Sequence, residues 1–293
     1  MNTPSSFFTE MYAAFDYGPV LISPHMTRLT CHNAGFMTAA GTNTYLLHDV
    51  NKQYFVVVDP GPDDAAHIEA IVQACGGAKH IMAIVVTHMH PDHSPAALPL
   101  QVLSGALIYG AAPVLDEYQD TTCQPDYVIV DNELLVFGEI TLRCIHTPGH
   151  VQNHFCLLLE NDDEAILLAG DHIMQGSTVV IIPPHGNMSD YILSLKKLLN
   201  YPISRIAAAH GLMIDTPTQE INTLVQHRLQ REATVLKAAQ TLRNATLEEL
   251  LLHVYADVDP RLHAVAKYSL LAHLYKLEQE QHVAQQDGRW VCS

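Results

Sequence analysis

The stretch THMHPDHS, residues 87–94, brings four candidate metal-binding side chains together at the end of an apolar run, IMAIVVT (81–87). Its candidate ligands are His88, His90, Asp92 and His93. His88 and His90 are two residues apart, so both imidazoles face the same way in an extended loop. Imidazole and carboxylate together suit zinc, and also manganese or iron. The stretch therefore predicts a metal site at the end of a buried strand.

Three further candidate ligands stand at matching places along the chain. His150 follows ITLRCIHTPG, Asp171 follows AILLAG, and His210 follows RIAAA. Residues in loops at the ends of strands converge most easily, because a rigid sheet holds those loops. The seven side chains are five histidines and two aspartates. They suffice for two metal ions with a bridging carboxylate and an open position for water.

Short apolar runs alternate with turn signals through the first two-thirds of the chain. They predict strands over 41–49, 52–61, 81–87, 106–111, 134–149, 155–160, 165–171 and 204–210. Helical spacing predicts helices over 63–75, 94–105 and 190–200, the last with Asp190 as its N-cap. Some of the predicted strands are separated by helices, and others follow one another as hairpins do. This combination indicates a mixed α/β layered fold.

The pattern changes near residue 217. Beyond it come a long helix over 219–244, a T-x-x-E capping box at 246–249, a helix over 260–281 and an Asp-Gly hairpin signal at 287–288. Three helices followed by a hairpin describe a winged-helix module. We therefore predict a catalytic domain over residues 1–218 and a winged-helix-like domain over residues 219–293.

Charge is distributed unevenly along the 293 residues, whose formal net charge is −16. Residues 1–219 carry 7 Lys and Arg against 22 Asp and Glu, whereas residues 220–293 carry 8 against 9. Such an acidic first part argues against a broad nucleic-acid interface, which needs Lys and Arg. A local site stays open, because two bound zinc ions would add four positive charges where the substrate meets the protein.

Cysteine usage and the N-terminus indicate the cellular compartment. None of the six cysteines forms a C-x-x-C pair, and Cys144 and Cys156 lie in apolar runs typical of buried free thiols. The N-terminal segment has no basic region followed by a long apolar stretch, so we expect no signal peptide. No apolar run is long enough to span a bilayer. We expect a cytoplasmic protein that does not act at a membrane.

Four motifs, THMHPDH (87–93), TPGH (147–150), AGD (169–171) and AHG (209–211), resemble the ordered motif set of the metallo-β-lactamase superfamily. HRLQRE (227–232) and SLLAHLYKLE (269–278) are similar to a lactamase-beta-like branch that includes endoribonucleases. The resemblance covers nearly the whole chain, including the winged-helix end. It implies an αββα sandwich with a dinuclear metal site along one edge.

The resemblance also implies a role for each ligand. By position, His88, His90 and His150 would hold the first metal ion, Asp92, His93 and His210 the second, and Asp171 would bridge them. The chain departs from the family at Ala208-Ala209, where relatives often have Pro-Gly before the histidine. That change should alter the loop more than the ligation.

The implied reaction is hydrolysis by a hydroxide held between two zinc ions, with Asp92 orienting it and carrying its proton. The first hypothesis for the substrate is a small ester, thioester or lactam, and the second is single-stranded RNA, cleaved by an endoribonuclease. A third hypothesis is a non-enzymatic protein in which the winged helix serves as a dimerisation or lid module. The complete ligand set argues against that third reading, and a homodimer remains open.

Three residues near the motifs are candidate substrate contacts. His172 follows Asp171 and could donate a hydrogen bond or form a pocket wall, although a structural role is an equal alternative. His185 and Tyr191 belong to, or follow, the loop QGSTVVIIPPHGNMS (175–189). For these two residues, plain loop and helix-packing roles are the alternatives.

Overall fold

The structure, a computed structural model, describes residues 15–114, 116–160, 164–256 and 258–292. The chain forms two compact units. The first comprises the chain up to His146, Asn153–Ser177 and Pro202–Pro217, and the second comprises Thr147–Gln152, Thr178–Tyr201 and the chain from Thr218 onward. Two short segments, Thr147–Gln152 and Thr178–Tyr201, thus belong to the second unit although they lie between segments of the first unit in the sequence. The domain boundary after residue 218 remains a prediction.

The first unit contains a seven-stranded sheet whose strands lie side by side in chain order. The strands are β1 (Val20–Ser23), β2 (Met26–Thr30), β3 (Asn43–His48), β4 (Phe55–Val58), β5 (Ile81–Val85), β6 (Leu107–Gly110) and β7 (Tyr127–Val128). Neighbours are antiparallel from β1 to β4 and parallel from β4 to β7.

Strands β1 and β2 were not expected from the sequence. In β2, MTRLT, polar residues interrupt the apolar pattern. In β2 these residues are buried and hydrogen-bonded. Thr27 Oγ1 lies 3.1 Å from His48 Nε2, and Thr30 Oγ1 donates to Asn43 Oδ1 at 2.7 Å. A buried polar side chain with a partner is tolerated within a sheet, but it hides the strand from hydropathy.

A second sheet of five strands completes the first unit. Its strands are β8 (Leu134–Phe137), β9 (Ile140–His146), β10 (Phe155–Glu160), β11 (Ala165–Leu168) and β12 (Arg205–Ala207), in the order β12-β11-β10-β9-β8. All neighbours are antiparallel except β11 and β12, which are parallel. The predicted strand over 134–149 is therefore a hairpin of two strands.

Apolar side chains of both sheets form one buried cluster, with Val56 and Val58 from β4 packed together with Leu142 and Leu157 from the second sheet. The opposite face of β4 lies in another cluster with two helices, α1 (Ala65–Ala74) and α2 (Ala97–Ser104). Because β4 is buried on both faces, its sequence is a continuous apolar run rather than an alternating one.

The candidate ligands of the first unit all follow the carboxyl ends of strands. His88 lies just beyond β5, Asp171 beyond β11 and His210 beyond β12. Backbone hydrogen bonds join the two sheets at this edge, from Phe155 N to Thr87 O at 2.9 Å and from Asn43 N to Ala209 O at 2.8 Å. The sheets therefore fix the loops that carry the ligands.

The described residues of the second unit form four α-helices, a short 3-10 helix (Pro260–Leu262) and a small sheet. Its elements are α3 (Met188–Leu198), α4 (Pro217–Leu242), α5 (Leu247–Val254), α6 (His263–Gln279), β13 (Asn244–Ala245), β14 (Val283–Gln286) and β15 (Arg289–Cys292), with sheet order β13-β15-β14. The predicted hairpin is confirmed: Asp287 and Gly288 have φ of 48° and 74°, as a type I′ turn requires.

One predicted cap is wrong and another is confirmed. Helix α3 begins two residues before Asp190, and Asn187 is its N-cap, accepting hydrogen bonds from Ser189 N and Asp190 N. Asn187 has the extended backbone that an N-cap needs, whereas Asp190 lies in the first helical turn, where its charge favours the helix dipole. The capping box formed by Thr246 and Glu249 is present as predicted.

The six cysteines are all free, and Cys144 and Cys156 are buried as predicted. Within the part of the chain that the structure describes, no helix combines the length and apolar character needed to cross a membrane.

The capping box of α5 gives a stability prediction. Thr246→Ala should lower the free energy of unfolding by about 1 kcal/mol, because the hydroxyl that accepts from Glu249 N at 3.1 Å is lost. Urea unfolding followed by the fluorescence of Trp290, the only tryptophan, would measure it. Thr241→Ala is the matched control, since Thr241 is exposed and its hydroxyl donates to Lys237 O within α4 rather than capping a helix. Equal losses in the two variants would contradict the prediction.

Candidate metal centre

Six of the seven predicted ligands lie together in the first unit, in two groups. The first group contains His88, His90 and Asp171, whose ligand atoms lie within 4.8 Å of one another. Within it, His88 Nε2 and His90 Nδ1 are 3.1 Å apart. The second group contains Asp92, His93 and His210, which satisfy the same limit.

Asp171 also reaches the second group. Its Oδ1 lies 3.4 Å from His93 Nε2 and 3.2 Å from His210 Nε2. Asp92 Oδ2 lies 3.5 Å and 3.3 Å from the same two nitrogens. Two carboxylates and two imidazoles therefore converge, and Asp171 belongs to the first group while it also lies within 3.4 Å of two members of the second.

These separations fit a metal ion better than hydrogen bonds. Ligands at 2.0–2.2 Å from a tetrahedral ion lie about 3.3–3.5 Å from one another. The four nitrogen–oxygen distances span 3.2–3.5 Å. The Nε2 atoms of His93 and His210 are buried and make no hydrogen bond within the described residues. Nitrogen and oxygen donors without sulfur suit zinc, manganese or iron.

The second ring nitrogen, Nδ1, has a hydrogen-bond partner in three of the predicted histidine ligands, His93, His210 and His150. His93 Nδ1 donates to Asp59 Oδ2 at 3.0 Å, and His210 Nδ1 donates to Gly41 O at 3.2 Å. In the second unit, His150 Nδ1 donates to Val180 O at 2.8 Å. Each partner accepts only, so each histidine keeps Nε2 as its ligand atom.

The two carboxylates of the second group's surroundings, Asp92 and Asp171, favour positive charge on the neighbouring histidines. Burial lowers the pKa of His210, but the carboxylates of Asp171 and Asp92 more than offset this and raise it to about 9. The pKa of His93 is likewise raised well above its usual value, because Asp92 and Asp171 outweigh the effect of burial. These imidazoles hold protons unless another cation takes their place.

The carboxylates respond in the opposite direction. Burial raises the pKa of Asp92, but the charges of the neighbouring His93 and His210 lower it to about 2. The pKa of Asp171 is held well below its usual range by His210 and His93 in spite of its burial. In the first group, burial and the neighbouring His93 and His90 hold the pKa of His88 well below its usual value. His88 is therefore a neutral imidazole, the form that binds metals.

Sequence reasoning missed Asp59, which organises both groups. Its carboxylate accepts from His93 Nδ1, from Thr87 N at 2.8 Å and from Thr87 Oγ1 at 2.7 Å. Thr87 Oγ1 in turn lies 3.1 Å from His88 Nδ1. The signal was a lone carboxylate at the end of the apolar strand FVVVDPG (55–61), in a residue with φ of 47°.

His154 was also missed, and it positions Asp171. Its Nε2 accepts from Asp171 N at 3.1 Å, and both residues are buried. Gly170 lets them approach, because its φ is 50° and a Cβ there would lie 2.6 Å from His154 Nε2. The glycine of the AGD motif is therefore required by the close packing of His154 and Thr87.

The candidate substrate contacts lie in mixed surroundings. His172 is fully buried, with its ring centroid 5.9 Å from that of His154. In the second unit, Tyr191 is fully buried and His185 is half-buried. Burial favours the structural alternatives for His172 and Tyr191, and a contact with substrate remains a prediction for all three.

Comparison with known protein families supports this arrangement. The sequence profile of the metallo-beta-lactamase superfamily matches residues 37–210, which contain all seven predicted ligands. The profile of the beta-lactamase associated winged helix domain matches residues 246–290.

Curated relatives resemble most of the chain. A beta-lactamase-like protein 2 homolog of Caenorhabditis elegans is 32% identical over 253 residues, covering 80% of this chain and 78% of the relative. The corresponding Drosophila melanogaster protein is 28% identical and covers 88% and 91%. An atrochrysone carboxyl ACP thioesterase of Aspergillus novofumigatus is 27% identical and covers 80% and 72%.

Solved structures share the fold. A metallo-beta-lactamase family protein from Thermus thermophilus superposes with a TM-score of 0.76 at 21% identity, covering 93% of this chain and all of that one. A beta-lactamase domain protein from Burkholderia ambifaria gives 0.77 at 20% identity, covering 94% and 93%. The predicted α/β metallo-β-lactamase fold with a C-terminal winged helix is therefore confirmed.

The role of Asp59 can be tested by metal titration. Asp59→Ala should weaken cobalt(II) binding by roughly ten- to a hundredfold, because His93 and Thr87 lose their common acceptor. Asp49→Ala is the control, since Asp49 is also a buried strand-end carboxylate, but among the described residues its side chain accepts only from the turn residues Asn51, Gln53 and Tyr54. Wild-type affinity in Asp59→Ala, or the same loss in both variants, would show that Asp59 does not orient the ligands.

Proposed function

The chain belongs to the metallo-β-lactamase superfamily and is a hydrolase, and we propose that it cleaves a small thioester or ester at a two-zinc centre. The observation that carries this proposal is the convergence of Asp92, Asp171, His93 and His210 at 3.2–3.5 Å. Those separations suit ligands of one tetrahedral ion. The three ligand atoms of the first group supply a second place for an ion.

The ligand set follows from geometry and from the sequence motifs. We assign His88 and His90 to the first ion, Asp92, His93 and His210 to the second, and Asp171 to both. The motif TPGH adds His150 to the first ion. His150 has the same bonding as His93 and His210, with Nδ1 donating and Nε2 kept for a ligand bond.

Zinc ions held by these residues would supply Lewis acidity, which would polarise the oxygen under attack and lower the pKa of water to about 7. The side chain of Asp92 is 26% exposed, whereas those of His93 and His210 are at most 1% exposed. Asp92 is thus the member of its group that substrate and water can reach. Its carboxylate, ionised at neutral pH, accepts the proton of the attacking water and delivers it to the leaving group. Thr42 Oγ1 donates to Asp92 Oδ2 at 3.3 Å and orients it.

Relatives named as thioesterases favour a thioester over a lactam. A thioester offers a polarisable carbonyl and a thiolate leaving group, so it suits a site with one open carboxylate. The acidic first part of the chain suits a small substrate better than a polyanion.

Charge pairing in the winged helix argues against the ribonuclease alternative. Four of its cations lie beside carboxylates: Arg261 with Asp259 (2.6 Å), Lys267 with Glu248 (2.6 Å), Lys276 with Glu232 (2.8 Å) and Arg289 with Glu249 (2.9 Å). Binding to nucleic acid depends on cations that are free to meet phosphates. This surface offers phosphates little net positive charge.

Substitution of a ligand tests both the reaction and the substrate class. His90→Ala should remove hydrolysis of a glutathione thioester and lower bound zinc per chain, because the first group loses a ligand. His253→Ala, at an exposed histidine of α5, should keep wild-type activity and metal content. Turnover would be followed by thiol release, and zinc by elemental analysis.

The same preparations should be given labelled single-stranded RNA and a chromogenic lactam. Thioester cleavage that is lost in His90→Ala supports the proposal. RNA cleavage that is lost in His90→Ala, with no thioester cleavage, would replace it with the endoribonuclease. Full activity in zinc-free protein would refute metal-dependent hydrolysis altogether.

A further inference from the structure

The loop TPGH, residues 147–150, is seated on helix α3. Pro148 O accepts from Ser194 Oγ at 2.8 Å, and Gly149 O accepts from Asn187 N at 2.8 Å. Gly149 has φ of 145°, and a Cβ there would lie 2.4 Å from Tyr191 Cα. The backbone that carries His150 therefore lies directly against the backbone of α3 at Tyr191.

The imidazole of His150 is oriented by a second segment of the same unit. Its Nδ1 donates to Val180 O at 2.8 Å. The direction of this carbonyl sets the plane of the ring, and so the direction of Nε2. Val180 belongs to an irregular stretch outside helices and strands, so regular hydrogen bonding does not hold it.

Arg228 of α4 holds that stretch from the other side. Its Nη2 donates to Val179 O, and its guanidinium lies 5.1 Å from the ring centroid of Tyr191. Arg228 is 2% exposed, Val179 is 2% exposed and Tyr191 is fully buried. One buried side chain thus contacts both supports of the histidine loop, the stretch around Val179 and the helix under Gly149.

The covalent geometry links these contacts. The carbonyls of Val179 and Val180 belong to consecutive planar peptide groups that share one Cα atom. When Arg228 fixes the first plane, only the φ and ψ of Val180 separate it from the carbonyl that orients His150. A β-branched residue restricts those angles further. Removal of Arg228 would therefore change the orientation of His150 through one intervening residue, Val180.

From these contacts we propose that Arg228 is a positioning residue for His150, so that the C-terminal helix sets the geometry of a metal ligand. The proposal rests on the assignment of His150 as a ligand under the proposed function. Burial of a guanidinium is costly. Arg228 offsets part of that cost through the hydrogen bond from Nη2 to Val179 O and the contact with Tyr191, while its buried Nε has no hydrogen-bond partner among the described residues. The sequence motif HRLQRE (227–232) contains this residue and has no part in the ligand set.

Arg231 provides a matched control on the same helix. Its Nη1 donates to Val254 O at 3.0 Å, and its guanidinium lies 4.5 Å from the ring centroid of Tyr255. It thus makes the same two kinds of contact as Arg228, but with α5 and the residue that follows it. Any general effect of removing an arginine from α4 should appear in both variants.

The test is cobalt(II) titration of the full chain after removal of metal, with visible absorption as the readout. Arg228→Ala should weaken one of two cobalt sites by roughly ten- to a hundredfold and change its absorption spectrum. Arg231→Ala should keep the wild-type affinity and spectrum. Arg228→Lys should recover part of the affinity, since an ammonium can still donate to Val179 O. Arg228→Lys can also be titrated with cobalt(II) if Arg228→Ala does not fold.

His150→Ala separates this inference from the proposed function. Loss of one cobalt site in His150→Ala, with wild-type spectra in both Arg228 variants, would overturn the role of Arg228 and leave the ligand assignment intact. Two wild-type cobalt sites in His150→Ala would overturn the assignment itself. Equal changes in Arg228→Ala and Arg231→Ala would show that α4 acts only through general stability.

Discussion

The convergence of two carboxylates on two buried imidazoles is the constraint on which the rest of the site depends. Asp92 and Asp171 meet His93 and His210 at 3.2–3.5 Å, too far for good hydrogen bonds and close enough for common ligation. Such a cluster is stable only with added positive charge, and the raised pKa values of both histidines show that protons can supply it. Protons and metal ions therefore compete for the same two nitrogens.

The two sheets fix the positions of the residues that converge in this cluster. Strand β4 is buried on both faces, and a slip of one residue would exchange its two apolar clusters. Asp59, directly beyond it, is therefore fixed in space and can hold two loops at once. It bonds His93 directly and reaches His88 through Thr87. One carboxylate thus orients a ligand in each group, which explains why the motif after β5 needs a partner from β4.

The sequence predicted the parts of the site in which chemistry and spacing coincide. His88, His90, Asp92 and His93 stand out because four ligands in six residues follow an apolar strand, and the convergence of Asp171 and His210 followed from their places at strand ends. Asp59 and His154 escaped notice because they act on ligands rather than on metal, and a lone polar residue has no spacing to reveal it. Strand β2 and the cap at Asn187 were missed because tertiary hydrogen bonds and loop conformation decide them.

The buried guanidinium of Arg228, in the second unit, indicates a role for the winged helix in this hydrolase. Recognition of nucleic acid requires exposed cations, yet Arg228 lies 2% exposed beside Tyr191, with its hydrogen bond directed to Val179 O. Three further cations of the module, Arg261, Lys267 and Arg289, are paired with carboxylates. Both features suit a support for the histidine loop better than a phosphate-binding surface. A helix about eighty residues beyond TPGH would then belong to the metal centre, in the same sense that Asp59 does.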